Sequence, residues 1–206
     1  MRTLRSFLAA GALVAGVGSP LLAQAAPAAP AAAGAAADTS HAARHAAHMA
    51  TTVDPERVRA ELLGAFESSM QKFVALAEAM PADKFAWSPG EGVMPFGHVL
   101  SHVAHYNYGY PVQAMGAAAP AGIQLDTLEN VRTKEAVLAL LRSSGDYARA
   151  TLRETPAAEL VKGTRLYGRE TQEWAVLLSM VAHMNEHLGQ SIAYARMNGI
   201  VPPWSR

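Results

Sequence analysis

The chain has 206 residues, half of them hydrophobic, and its 17 lysines and arginines are balanced by 17 aspartates and glutamates. Without a basic stripe interleaved with aromatics it lacks the electrostatic footprint of a nucleic-acid or anionic-lipid binder. Cysteine is absent, so no disulfide, thiol nucleophile or thiolate ligand can form, and histidine and carboxylate must carry any chemistry.

The N-terminus reads Met1-Arg2-Thr3-Leu4-Arg5, then an apolar run from Phe7 to Val17, then a stretch ending in Ala23-Gln24-Ala25. A basic start, an apolar segment too short to span a bilayer and an Ala-x-Ala site predict a cleaved signal peptide over residues 1–25, with a periplasmic or secreted destination. Arg2 and Arg5 are not adjacent, which favours the general secretory route over the twin-arginine route. Residues 26–51 are nearly all Ala, Pro, Gly and His, a composition that cannot offset the entropy of ordering itself, and they read as a linker. Its His41, His45 and His48 have metal-compatible spacing but no surroundings to fix the rings. Residues 52–206 then form one domain with enough apolar side chains for a core.

Four helices are expected there. The first opens at Asp54-Pro55, a cap followed by proline at the first helical position, and carries Val58, Leu62, Phe66, Phe73, Leu76 and Met80 at helical period until Pro81. A second starts near Pro95 and runs to about Gly116, with a kink or an end expected at Pro111. A third spans about Thr133 to Glu154, before Pro156. The glycine-containing stretch from Val161 to Gln172 reads as a loop or small hairpin. The last helix runs from about Glu173 to the cap signal Asn198-Gly199. Four amphipathic helices with long connections predict an all-α four-helix bundle, in which either 81–94 or 117–132 is long enough to cross over.

All eight histidines fall into three clusters, His41/His45/His48, His98/His102/His105 and His183/His187, spaced by three or four. That spacing stacks side chains on one helix face. Val176, Met180, His183, His187 and Tyr194 share a strip beside the apolar stripe of the last helix, so both histidines flank the core, and an i, i+4 pair can chelate one metal. The order His-Met-Asn-Glu-His is not that of a metalloprotease, and Glu186 turns about 100° away from His187, as an exposed helix carboxylate would. On the second helix the apolar stripe centres near Val103, and His102 lies closest to it; His102 is the expected third ligand. His98 and His105 read as neighbours on the solvent side or at the mouth of the site, exposed polar residues first and, as the alternative, one of them a group that supports the ligands or an extra ligand. Tyr106, Tyr108, Tyr110, Trp87 and Trp174 could line a pocket near the metal, although aromatic stripes at this spacing are core more often than pocket.

The stretches Pro95-Phe96-Gly97-His98-Val99-Leu100-Ser101-His102-Val103-Ala104 and His183-Met184-Asn185-Glu186-His187-Leu188-Gly189-Gln190, continued by Tyr194-Ala195-Arg196-Met197-Asn198-Gly199, resemble the DinB/YfiT-like superfamily. The resemblance runs from Asp54 to about Ser205. It implies a four-helix bundle with a crossover and a three-histidine site for a divalent metal, commonly zinc or nickel, whose ligands fall on His102, His183 and His187. It further implies a metal-dependent thiol S-transferase, a thiol-dependent isomerase or a hydrolase. An export signal departs from the cytosolic thiol-transferase pattern.

The first expectation is therefore an exported metalloenzyme of hydrolase or thiol-transferase type, using Zn²⁺ or Ni²⁺ at His102, His183 and His187 and acting on a small molecule. The competing expectation is a non-catalytic periplasmic metal- or ligand-binding stress protein. Neither nucleic acid nor an integral membrane domain is expected, and a homodimer stays open.

Overall fold

The structure is a computed structural model that describes residues 54–205. The expected signal peptide, the linker and its three histidines lie outside the described residues. Four long helices form the frame: α1 (Pro55–Ala79), α2 (Phe96–Ala114), α4 (Lys134–Glu154) and α6 (Glu173–Met197). Between them lie the single-turn helices α3 (Leu125–Leu128) and α5 (Ala157–Leu160) and an antiparallel hairpin of β1 (Gly163–Leu166) and β2 (Arg169–Gln172).

Local chemistry sets the helix ends. The Asp54 carboxylate accepts the amide of Glu56, and the Thr133 hydroxyl accepts that of Ala136, so each side chain satisfies a donor that its helix leaves unpaired. Lys134 Nζ donates to the carbonyls of Glu78 and Met80, both at 2.7 Å, placing a cation on the C-terminal end of α1. Gly199, at φ 74°, ends α6 in the left-handed conformation expected of a glycine there. Pro111 neither ends nor replaces α2, which runs on to Ala114; it sits in the last turn, where few backbone bonds remain to be broken.

Each of α1 and α2 packs against both α4 and α6, so α1 faces α2, and α4 faces α6, across the diagonals of the bundle. Contacts along the helices give their directions. Arg59 reaches the Thr155 carbonyl while Glu78 pairs with Arg142, so α1 and α4 are antiparallel. Trp87 packs on Tyr194 at one end of α2 and Thr164 bonds Ala114 at the other, so α2 and α6 are antiparallel. Gly97 lies by Arg132, and Asn107 by Ser144, so α2 and α4 run parallel. Two parallel neighbours need a connection that travels the length of the bundle. Of the two expected candidates, it is the segment between α2 and α4, residues 115–133, that makes this crossover, and α3 rides on it.

The core fills the centre with Leu62, Phe66, Phe73 and Leu76 from α1, Val99, Leu100 and Val103 from α2, Leu141 and Leu152 from α4, and Leu177, Met180 and Met184 from α6. Each buried large side chain stabilises the fold by roughly 1.5–3 kcal/mol relative to exposure. One close approach bears on the site. The amide of Gly97 donates to Phe85 O at 2.8 Å, and a Cβ on Gly97 would lie 3.1 Å from that oxygen and 3.1 Å from the Phe85 ring. A larger residue there would make the Phe85 backbone and ring give way by a few tenths of an ångström, at the start of the helix that carries His98 and His102. No helix among the described residues is long and apolar enough to cross a membrane.

Candidate metal centre

His102 on α2 and His183 and His187 on α6 meet where these two antiparallel helices pack. One ring nitrogen from each lies within 4.8 Å of the other two. His183 Nε2 is 3.3 Å from His102 Nε2 and 3.2 Å from His187 Nε2. A metal bound tetrahedrally at about 2.0–2.1 Å holds its nitrogen ligands about 3.3 Å apart, so the two edges that meet at His183 have the length of such a site. These three histidines can hold a metal ion.

The far sides of the rings decide which nitrogen faces the centre. His102 Nδ1 lies 2.9 Å from Glu129 Oε1, and a carboxylate only accepts, so the hydrogen sits on Nδ1 and the Nε2 lone pair points inward. His187 Nδ1 lies 2.8 Å from Gln190 Oε1, and Gln190 Nε2 donates to Tyr194 Oη at 2.8 Å, which orients the amide and puts the His187 hydrogen on Nδ1 as well. His183 Nδ1 is buried and has no hydrogen-bond partner. Two inward lone pairs thus confront the third nitrogen, and a single hydrogen on His183 Nε2 can satisfy only one of them. A cation at the centre satisfies all three.

Electrostatics reinforces this. Burial, followed by the neighbouring His187 and His102, pushes the His183 imidazole down to about 4. Burial also lowers His102, although Glu129 pulls it back part of the way. Both rings are therefore neutral near pH 7, the form that ligates a metal. For Glu129 burial works upward, but the hydrogen bond from His98 and the charge and hydrogen bond of His102 outweigh it and hold the carboxyl below its ordinary range.

Glu129 belongs to the crossover, immediately after α3, and nothing in the sequence singled it out. Its second oxygen lies 3.1 Å from His98 Nε2, so one carboxylate joins a ring of the triangle to a histidine one turn back. His105 Nδ1 lies 2.8 Å from the carbonyl of Leu125 in α3. His98 and His105 are half-buried tethers between α2 and the crossover rather than exposed polar residues; neither joins the triangle, and His98, sharing Glu129 with His102, fits the alternative of a group that supports a ligand. Glu186 is exposed, as expected of a helix carboxylate.

Tyrosines close one flank. The Tyr106 ring stands 4.4 Å from that of His183 and 4.8 Å from that of His102, and Tyr110 stands 6.0 Å from His183. Burial, with Tyr167 and Glu129 adding to it, raises the Tyr106 phenol; burial and the hydrogen bond with Tyr167 raise Tyr110 well above the ordinary range. Both phenols are neutral near pH 7. Tyr108 instead turns to the opposite side, against Tyr147 and Ser143 of α4, and is core. Trp87 packs edge-on against Tyr194, and Trp174 lies at the start of α6, beside Val58 and Leu62 of α1.

A sequence model of the DinB superfamily matches residues 65–195, which contain all four long helices in whole or in large part and the entire histidine triangle. The chain belongs to the DinB superfamily. Two solved structures share its fold. A DinB-like protein from Bacillus cereus is 15% identical, with a TM-score of 0.54 over 69% of this chain and 93% of that one. A DinB-like protein from Bacillus subtilis is 19% identical, with a TM-score of 0.53 over 68% of this chain and 92% of that one. No curated protein matches the chain.

Proposed function

We propose that this DinB-superfamily chain is an exported metal-dependent enzyme of hydrolase or thiol S-transferase type, with Zn²⁺ or Ni²⁺ held by His102, His183 and His187. The observation that carries this reading is the convergence of three Nε2 atoms, two of them aimed inward by acceptors on their far sides. A three-histidine set leaves coordination positions open. When bound, such a metal activates water or a thiol as a nucleophile near neutral pH and polarises a carbonyl.

The chain's own residues would do the positioning. Glu129 accepts the Nδ1 hydrogen of His102 and that of His98 Nε2 on its other oxygen, which fixes the tautomer and tilt of the His102 ring. Gln190 sets the ring of His187, and the rings of Tyr106 and Tyr110 exclude water from one flank. Export rests on the basic start, short apolar run and Ala23-Gln24-Ala25 within residues 1–25. N-terminal sequencing of the mature protein tests it: a chain beginning at Met1 or Arg2 in a cytosolic fraction would overturn it.

One observation favours the alternative, a non-catalytic periplasmic metal- or ligand-binding protein. The carboxylate beside the triangle, Glu129, is already engaged by two histidines, and Glu186 is exposed, which leaves neither aimed at a substrate as a free general base. Elemental analysis of the untagged protein, followed by a panel of esters and of thiols with electrophiles on the metal-loaded form, separates the two. Stoichiometric metal with turnover supports the enzyme; stoichiometric metal without turnover supports the binding protein. Protein that takes up neither zinc nor nickel on reconstitution would remove the metal reading altogether.

A further inference from the structure

The turn between β1 and β2 is built on a residue that such turns disfavour. A two-residue type I′ connection needs positive φ at both central positions, which Asn-Gly or Gly-Gly adopt with little strain. Here the pair is Tyr167, at φ 50°, and Gly168, at φ 77°. Tyr167 is the one non-glycine with positive φ among the described residues. A bulky aromatic held in the left-handed region marks a position whose conformation the surroundings impose, and such positions gather at ligand sites.

Burial is not what holds it there, because Tyr167 is 67% exposed. Two polar contacts do so. Tyr167 Oη donates to Tyr110 Oη at 2.8 Å, and the Thr164 hydroxyl donates to the Ala114 carbonyl, pinning the hairpin to the end of α2. The strained turn therefore carries a phenol to the tyrosine that stands beside His183. Between two hydroxyls only one hydrogen is used. The other is free for a third acceptor, on the flank of the centre where the rings of Tyr110 and Tyr106 lie against His183.

We propose that the Tyr110–Tyr167 hydroxyl pair binds the ligand of this centre, donating a hydrogen bond to a carboxylate or acyl oxygen while the ring of Tyr106 receives the ligand's apolar part. The inference rests on the metal-centre reading. It adds a ligand class, an oxygen acceptor on an apolar or aromatic body, and a reason for the strained residue at the hairpin tip. A thiolate needs only the metal and would not sense these hydroxyls.

Cobalt(II)-loaded protein titrated with benzoate, and separately with 2-mercaptoethanol, tests this through the visible spectrum of the metal. Tyr110→Phe and Tyr167→Phe remove one hydroxyl each and leave the rings. Both should retain one cobalt per chain with thiol affinity changed less than twofold; Tyr110→Phe, which loses the free donor, should bind benzoate about tenfold more weakly, the size expected for a hydrogen bond to a charged acceptor, and Tyr167→Phe, which keeps that donor but loses the hydroxyl that positions it, about threefold more weakly. Tyr167→Asn suits the turn better, so its thermal midpoint should match or exceed that of the wild type while benzoate affinity falls as it does in Tyr167→Phe. A purely structural tyrosine predicts the reverse, a lower midpoint and unchanged benzoate binding. Unchanged benzoate affinity in both phenylalanine variants, or no benzoate response in cobalt-loaded wild type, overturns the ligand proposal and leaves the metal centre standing. Wild type that takes up no cobalt overturns the metal centre, and this proposal with it.

Discussion

The two helices that build the centre position their histidines by opposite means. On α6 the work is local: His183 and His187 are one turn apart, and the brace for His187, Gln190, is three residues further along the same helix. On α2 a single ring, His102, enters the triangle, and its brace is Glu129, 27 residues away on the crossover. The local arrangement persists wherever α6 stays helical. The α2 arrangement exists only once the crossover has docked, so it couples the centre to tertiary structure.

The largest test of this comparison is removal of the rings. His102→Ala, His183→Ala and His187→Ala should each abolish stoichiometric metal, since each supplies a large part of the binding free energy. His98→Ala and His105→Ala should keep a site weakened by no more than about a hundredfold, the upper range for groups that act through a ligand. Elemental analysis after dialysis reads both. Full occupancy in His102→Ala, with loss in His98→Ala, would mean that α2 presents a different ring to the metal.

This asymmetry also explains what could be read from the sequence. Helix ends were legible because Asp54-Pro55, Thr133 and Asn198-Gly199 are local signals, and the α6 pair because i, i+4 geometry belongs to one helix. His102 could be chosen because buried Val99 and Val103 mark the inward face of α2. Glu129 could not: a lone carboxylate in a polar connection has no periodicity, and its partner is identified only when the segment folds back. The pairing of α1 with α4 and α6, rather than with α2, is likewise set by long-range packing. The hairpin was legible as glycine-containing, but Tyr-Gly is not a pair that announces a type I′ turn, so the role of Tyr167 stayed hidden.

Glu129 is where the comparison can be sharpened next. Glu129→Ala removes the acceptor that keeps the His102 hydrogen on Nδ1, and metal affinity should drop about tenfold to a hundredfold in a chelator competition. Glu129→Gln keeps a neutral acceptor oxygen and should lose less. Affinity unchanged in Glu129→Ala would show that the crossover only covers His102.

A pH effect of intermediate size reads the buried rings of the metal-free protein, His183 on α6 and, in the same direction, His102 on α2. His183 is held at about 4, below its unfolded value of 6.5, so the unfolded chain takes up the proton first. Stability contributed by the neutral buried ring is complete above about 6.5 and is lost as pH falls toward 4. Glu129, lowered from an ordinary 4.5, loses its contribution only below that value. The thermal midpoint should therefore decline between pH 6.5 and 4.5, by several degrees, and His183→Gln should make this limb shallower, with the remainder carried by His102. A midpoint constant over that interval would contradict the buried neutral ring.

Gln190→Ala should have the smallest effect. The lost contact is a neutral hydrogen bond on a half-buried surface, worth about 0.5–1.5 kcal/mol net, or roughly two- to twelvefold in affinity. Water can replace the amide oxygen, and the helix still carries His187 one turn from His183, so only the ring's tautomer and tilt are loosened. Glu129→Ala removes more, because a charged acceptor is lost together with the link to His98 that ties α2 to the crossover. The chelator competition should therefore rank Gln190→Ala nearer wild type than Glu129→Ala. Equal losses in the two variants would mean that both braces act merely as hydrogen-bond acceptors, and that the long-range attachment of His102 adds nothing beyond the short-range one of His187.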